Sequence, residues 1–552
     1  MNAVVWNVNG VPGRTDYAYV PHSDLLAGMT TARTGGVYTA VTADYTYEPY
    51  RDVKTQVLNR AGVRVISQYD YRYNETGNRT SVVNSGEAFA GREGFNLYQY
   101  NSRSEVTESK RFRGTDLNDT SRPVLPEYRS YNYDPIGNRT DAVEGNETQQ
   151  DGKSTAYATN GLNQYETTAV TPQTNESATF TYDADGNMTS VADSTGYTLY
   201  VFDGENRLVE VRPNSPQPSQ KKVDFAYDFM GRRIKKDVYI WNNGAWVMDT
   251  ASTFTWDGWL MIDETATPNG GQPDTMNYVW GLDLSQTLQG AGGTGGLLAN
   301  FYNTTTYNCY DGNGNCLQFI KETDCLVAAS YQTDLYWSSI NFNEDADIEN
   351  CFKFSTKYTD VEINMIYYGY RYFSSELGRW LSKDPSSNIG EPNLYLFIMN
   401  NPACWYDILG LRRSEEYDEY YKVDGSLSWR NNNPGNIIYG AWARAHGATG
   451  ASQSSKRFAK FPTEQGGMDA LKELLRSSQY SDLTVMDAIK RYAPSEDQNN
   501  PEQYVETLRG MGLDPEGKVS EQVDALAAAI KRVEGWREGT IEKKCPEKKA
   551  AK

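Results

Sequence analysis

Histidine is almost missing: the 552 residues contain two. Two imidazoles are too few for a histidine-rich metal site. The six cysteines include a group, Cys309, Cys316, Cys325 and Cys351, whose spacing fits no zinc pattern. No metal and no cofactor is therefore expected, and these thiols are left either to one or two disulfides between adjacent strands or to a free, buried state. Long apolar runs are also absent, with no stretch of about 18 such residues, so no membrane-spanning helix is expected. The opening "MNAVVWNVNGVPGRTDYAYV" has neither the basic region nor the apolar run of a Sec signal. Positive charge is scarce as well. Lys and Arg number 53 against 72 Asp and Glu, a net charge of −19. Residues 412–552 hold 22 of each sign, so the first 411, with 31 basic and 50 acidic residues, carry the whole excess. An acidic body of that kind does not bind nucleic acid through its surface, since phosphate contacts need positive charge. Walker, Rossmann and His-Glu-x-x-His patterns are missing too.

What the chain does have is tyrosine, 41 of them, at low mean hydropathy (−0.68). That combination suits sheets with one wet face, and the length calls for more than one domain. A repeat is visible: "YDYRYNETGNRT" (69–80), "YNYDPIGNRT" (131–140), "FTYDADGNMTS" (180–190) and "FAYDFMGRRI" (225–234), with weaker copies from Tyr157 and Tyr200. From Gly137 the turn glycines follow at Gly161, Gly186, Gly204 and Gly231. Each copy reads as a hairpin. An aromatic-x-aromatic strand leads to an Asp-x-x-Gly-Asn turn, where Gly supplies positive φ and Asp bonds nearby backbone, and a second strand returns. One hairpin cannot bury its aromatic face alone, so the copies must stack into a long curved sheet. The turns 183–187 and 311–315 superficially resemble calcium loops but lack the Glu of a complete EF-hand, and they read as polar hairpin turns.

These repeats, with "YVWGLDLSQTLQGAGGTGGLLA" (278–299), "FSTKYTDVEINMIYYGYRYFSSELGRWLSKDP" (354–385) and "NLYLFIMNNPACWYDILGL" (393–411), resemble the Rhs/YD-repeat polymorphic toxins. The resemblance covers nearly three quarters of the chain. It implies a mainly β architecture, with a YD-repeat solenoid or cocoon over 1–300 and an Rhs repeat-associated core over 301–411, that encloses a C-terminal toxin; the residues themselves predict a small α-rich effector over 412–540 and a disordered charged tail, 541–552. The resemblance also implies self-cleavage after Leu411 by two carboxyls, Asp384 in "KDP" and Asp407 in "DILGL", one protonating while the other activates water. The family usually reads Asp-Pro-x-Gly-Leu, and this chain has Ile408 in place of the proline. Arg379 in "LGRW" is the candidate partner, either for one of these carboxylates or for an acidic wall. Family shells carry more repeats and an N-terminal plug, so this chain reads as a short or truncated member.

Beyond Leu411 the rhythm changes. "WRNNNPGNIIYG" is a loop of turns, and helices follow: one after Thr463 as N-cap, one in "SDLTVMDAIKRYA", one in "NPEQYVETLRGMG" and one capped by Ser520. The stretch 430–510 resembles phage-virion and lysozyme-like peptidoglycan-active domains, where the acid lies at the end of a helix before the loop. Glycan cleavage needs such an acid. The candidates are Glu419 and Glu416 before the loop, with Glu464 and Glu496 after it. Asn432, Asn433, Asn436 and Tyr439 are candidates for lining a saccharide groove, since amides and phenols suit sugar hydroxyls. His446, with Arg444 and Lys456 near in sequence, carries the alternative of a nuclease, while Cys545 sits in the charged tail without a local His.

The expectation is thus a bacterial, secreted or cell-surface toxin whose shell carries a peptidoglycan glycan-strand hydrolase, with a cognate immunity protein and a secretion apparatus as partners. The alternatives are a nuclease cargo or a non-enzymatic carbohydrate-binding adhesin.

Overall fold

The computed structural model describes all residues except 24, 36–38, 50, 146–151, 173–175, 346–349, 387–392, 412–414, 418–419, 424–432, 435–436, 439–440, 447, 449, 452–458, 462–463, 493–500, 534–539 and 544–552. The backbone divides into two compact units, Met1–Arg412 and Arg413–Lys543.

Most of the first unit is one antiparallel sheet, 27-stranded among the described residues, running from Ala3–Val8 to Ser339–Glu344. Successive strands pair in sequence order, as between Val11–Tyr19 and Leu26–Arg33 or between Tyr128–Tyr133 and Arg139–Gly145. The sheet is continuous across residue 300, which lies inside the strand Leu297–Phe301.

The repeat owes its form to its turn. In "DPIGN" Asp134 donates its backbone N–H to Asn138 O (2.9 Å), while its Oδ1 accepts from the N–H groups of Ile136 (3.0 Å) and Asn138 (2.9 Å). Gly137, at φ +87°, closes the turn by donating to Asp134 O. Asp228 holds Met230 and Arg232 in the same way. The turns also bond to one another: Asn138 Nδ2 donates to Asn163 Oδ1 (3.0 Å), Asn187 Nδ2 to Asn206 Oδ1 (2.7 Å) and Arg232 Nη1 to Gly258 O (2.7 Å). A second set of stitches comes from the aromatic pairs. Tyr73, Tyr100, Tyr133 and Tyr227 each donate their hydroxyl to a carbonyl one repeat back, on Lys54, Arg79, Val106 and Leu208. Trp256 and Trp280 do the same with their indole N–H, to Arg233 O and Met261 O. The 183–187 and 311–315 turns belong to this set; Asp183 and Asp311 accept from Asn187 and Asn315.

The sheet curls, because early strands bond to late ones. Leu282 N donates to Tyr17 Oη (3.0 Å), Asn59 Nδ2 to Tyr310 O (2.9 Å), and Arg129 pairs with Asp334 at 2.9 Å. Against the face so formed lies the segment 351–411, built on the short strands Tyr358–Asp360, Met365–Tyr367, Tyr372–Ser374 and Arg379–Trp380. Its Phe373 and Phe397 rings stand 4.0 Å apart, and Tyr368 and Trp380 meet edge-on at 5.0 Å. These four are at most 1% exposed and join a cluster with Tyr69, Tyr131 and Phe319 of the large sheet. Burying each contributes about 1.5–3 kcal/mol. Cys309, Cys316, Cys325, Cys351 and Cys404 are free thiols.

The second unit contains five described helices: α1 (Ala441–Ala445), α2 (Glu464–Arg476), α3 (Val485–Tyr492), α4 (Pro501–Gly510) and α5 (Val523–Val533). Leu471, Leu475, Val485, Ile489, Leu508, Leu526 and Ile530 form their common core. Thr484 Oγ1 caps α3 by accepting from Asp487 N, and Pro501 opens α4. The cap expected at Ser520 is not there. A 3₁₀ turn, Val519–Glu521, comes first, and Leu526 N donates to Gln522 O. Thr463 lies outside the described residues. The sequence reading contained no sheet here, yet Glu415–Tyr417, Tyr420–Val423 and Thr540–Lys543 form one. Residue 541, expected to open a disordered tail, belongs to this sheet, where Ile541 pairs with Lys422.

Candidate functional site

The last residues of the first unit form a tight turn. Asp407 Oδ1 accepts from the N–H groups of Gly410 (2.6 Å) and Leu411 (3.2 Å). Gly410 lies at φ +73°, and a Cβ there would meet the Arg371 backbone N at 3.2 Å, so the turn needs glycine. Tyr370 N donates to Leu409 O at 3.0 Å, which ties the turn to the strand region around Arg371.

Arg371 is the centre of the site. It is 2% exposed and lies over the Trp380 ring at 4.1 Å. Its Nε donates to Gly410 O, its Nη1 to Leu394 O (3.1 Å) and its Nη2 to Asp384 Oδ2 (2.9 Å). The same Nη2 lies 3.8 Å from Asp407 Oδ2. One guanidinium thus gathers both carboxyls and the carbonyl just before Leu411. Asp384 has a second anchor, with Oδ1 accepting from Ser386 N (2.9 Å) and Ser386 Oγ.

The two carboxyls, each 5% exposed, differ in setting. Burial pushes the Asp407 carboxyl above the ordinary carboxylate range; Arg371 opposes this and the nearby Asp384 adds to it. Asp384 has the closer guanidinium and two serine donors. A buried pair in which one carboxyl takes a proton more readily than usual and the other sits closer to the cation suits a division of labour between acid and base. Lys357, also 5% exposed, completes the charged set; it donates Nζ–H to Gly292 O at 2.7 Å.

The sequence reading brought forward Asp384 and Asp407, and the fold places both on one guanidinium. It chose the wrong arginine. Arg379 donates to Asn163 O (2.7 Å) and stacks on Tyr165 and Tyr395, at 3.9 and 5.0 Å, so it meets neither carboxylate nor an acidic wall. Arg371 and Lys357 were missed. The signal for Arg371 was its place in "YGYRYF", a lone cation within an aromatic run that must be buried. Ile408, where a proline was expected, is 3% exposed and packs on Gly292.

The effector candidates are spread out. Glu416 stands on the strand Glu415–Tyr417, which pairs with Tyr420–Val423, and not on a helix. Glu464 opens α2. Glu419, Glu496, Asn432, Asn436, Tyr439 and Lys456 lie outside the described residues. Asn433 is fully buried; its Nδ2 donates to Ile437 O (2.8 Å) and Ala459 O (2.9 Å), and its Oδ1 accepts from Ile437 N. That amide holds its own loop and does not line a groove. His446 stacks on Trp442, ring centroids 3.8 Å apart, with Nδ1 donating to Trp442 O.

No family model matches the chain. Among known proteins it is similar to toxin protein Tse5 of Pseudomonas aeruginosa, 26% identical over 330 residues, which is 51% of this chain and 24% of that one. A second relative, double-stranded DNA deaminase toxin A of Burkholderia cenocepacia, is 23% identical over 258 residues, 44% of this chain and 17% of the other. The chain is related to toxin proteins. It spans about a quarter or less of the length of these two relatives. Among solved structures, the crystal structure of TcdB2-TccC3-Cdc42 aligns with 73% of this chain and 21% of its own at a TM-score of 0.54 and 18% identity. That likeness is one of fold. This toxin relative accordingly has a mainly β first unit, followed in sequence by a small helical unit, and no helix among its described residues is long and apolar enough to cross a membrane.

Proposed function

We propose that this toxin relative cuts its own chain after Leu411 and so frees residues 412–552 as its effector. The observation that carries the reading is the single guanidinium shared by Asp384, Asp407 and the Gly410 carbonyl. In the step itself, Asp384 removes a proton from a water that attacks the Leu411 carbonyl carbon. The C–N bond to Arg412 breaks, and Asp407 gives its proton to the departing nitrogen. Full-length protein refolded from denaturant should yield fragments 1–411 and 412–552 by intact mass. A chain that refolds and stays whole would end the proposal.

For the effector we favour hydrolysis of peptidoglycan glycan strands. The support is the helical unit with its Asn-rich loop and the resemblance of 430–510 to lysozyme-like domains. Delivery by a secretion apparatus, neutralisation by an immunity protein in the producer and action outside the producing cell belong to the same proposal. The test is to mix processed protein with purified sacculi and read soluble muropeptides by mass spectrometry. Glu416→Gln, Glu419→Gln, Glu464→Gln and Glu496→Gln then identify the acid, and intact sacculi would point to another cargo. The relative named as a DNA deaminase raises the nuclease-side alternative of a nucleic-acid substrate. Zinc-hydroxide deamination needs three His or Cys ligands. Residues 412–552 contain His446 and Cys545 alone, which speaks against that chemistry here.

A further inference from the structure

Lys357 is placed by a backbone that its neighbours must force. Ser355 and Thr356, just before it, lie at φ +48° and +51°, a left-handed conformation that a β-branched residue such as threonine rarely adopts. Such strain persists where surrounding contacts over-determine it, and it gathers at working sites. Here the contacts are explicit. Gly295 N donates to Thr356 Oγ1 (2.8 Å), Thr356 Oγ1 donates to Gly314 O (2.7 Å), and Ser355 N donates to Asn315 Oδ1 (2.8 Å). The turn therefore rests on the glycine-rich loop 290–296 and on the 311–315 repeat turn, and it sends the lysine inward.

Its ammonium ends beside the cleavage turn. Nζ donates to Gly292 O, and a Cβ on Gly292 would collide with the Ile408 carbonyl. Nζ also lies 5.7 Å from the Tyr368 ring, and the Tyr368 Cβ stands 3.3 Å from where a Gly410 Cβ would be. The charged groups acting on it are Asp407 and Asp283. Asp283 is occupied by the N–H groups of Ala291 (2.7 Å) and Gly293 (3.1 Å) and by Ser285. Arg371 Nη2 lies 3.8 Å from Asp407 Oδ2 and 2.9 Å from Asp384 Oδ2.

Resting on the cleavage reading above, we propose that Lys357 is a positioning residue for that reaction. Its buried ammonium balances the carboxylate that Asp407 becomes when it passes its proton to the Arg412 nitrogen. The lysine forms and breaks no bond itself. Burial lowers its own pKa to about 8, so the charge is present at neutral pH and fades above it.

The experiment is the pH profile of processing by the full-length chain, refolded by dilution into buffers from pH 4 to 9, for the unaltered protein and for Lys357→Met. Losing a nearby positive charge raises the pKa of Asp407 and weakens the balance during proton transfer. The variant should therefore show a plateau rate about tenfold lower and an alkaline limb moved up by about one pH unit. A residue that merely supported the fold would lower the rate at every pH and leave the limb in place. Asp283→Asn, which is isosteric, removes a carboxylate that favours the ammonium; Lys357 then loses its charge at lower pH, the limb should move up by less than in Lys357→Met, and this variant decides the matter if Lys357→Met does not fold. Limbs that coincide with the unaltered protein's would overturn the role of Lys357 alone. An unaltered chain that never processes would overturn the cleavage reading instead.

Discussion

Asp228, in a repeat turn, and Asp407, in the last turn of the first unit, do the same local work. Each spends one carboxylate oxygen on backbone N–H groups two to four residues ahead. Their settings diverge from there. At Asp228 burial disfavours the charge, but Arg232 and the turn's own N–H groups outweigh it, and the carboxyl is held below its usual range. At Asp407 burial prevails and the carboxyl is pushed up. The turn motif alone makes a rivet. The same motif inside an aromatic core, beside a second carboxyl and a shared guanidinium, makes a group that can hold and release a proton.

The largest test of this contrast removes the reacting groups. Asp384→Asn and Asp407→Asn should each slow processing by about 10²–10⁴-fold, read as persistence of the full-length mass, whereas Asp228→Asn leaves it unchanged. Next in size is Arg371→Met, which strips both carboxyls of their cation. It should slow processing by a smaller factor and destabilise the first unit by about 3–5 kcal/mol in urea unfolding, because a buried charge loses its partner. Smaller, and opposite in sign, is the effect of Asp407→Asn on stability. A carboxyl whose pKa is raised by folding costs stability as pH climbs from its unfolded to its folded value, and the cost stays above that. The amide should therefore raise Tm at pH 7 by about a degree or two and leave it unchanged at pH 3. Smallest is Asp228→Ala, a loss of about 1 kcal/mol at pH 7. Since that carboxyl is lowered by folding, its contribution exists above the unfolded pKa and should fade as pH falls through the folded one. A loss that persisted unchanged at pH 2 would break the comparison.

How much of this was legible depends on the distance over which the chain must fold to make a feature. The Asp-x-x-Gly-Asn turn closes within five residues, and its form followed from residue types. The repeat step was also legible, and the tyrosine stitches turn it into a spatial neighbour relation. The two aspartates came from a resemblance, and the fold then supplied their common partner. Choosing between Arg371 and Arg379 needed the third dimension. Asn163, Tyr165 and Tyr395 claim Arg379, and two of these are some 200 residues away in sequence. Lys357 was invisible for the same reason, since Gly292 and Asp407 meet it through folding alone. The strands Glu415–Tyr417 and Tyr420–Val423 are a different miss, because Tyr417, Tyr420 and Tyr421 fall at helical spacing in the sequence and agree with the helix implied by resemblance.

The backward reach of the tyrosines and tryptophans sets an order of events. Six strands are fastened in this way by a side chain from a strand that leaves the ribosome later, so these parts of the sheet can be secured in the direction of synthesis. The cleavage turn has no such local helper. Asp283, Gly292, Lys357, Arg371, Asp384 and Asp407 span most of the last third of the first unit, and the final member arrives four residues before the bond. In the proposed reaction the cut is thereby scheduled: the sheet is complete before the group that would part it from residues 412–552 has been made.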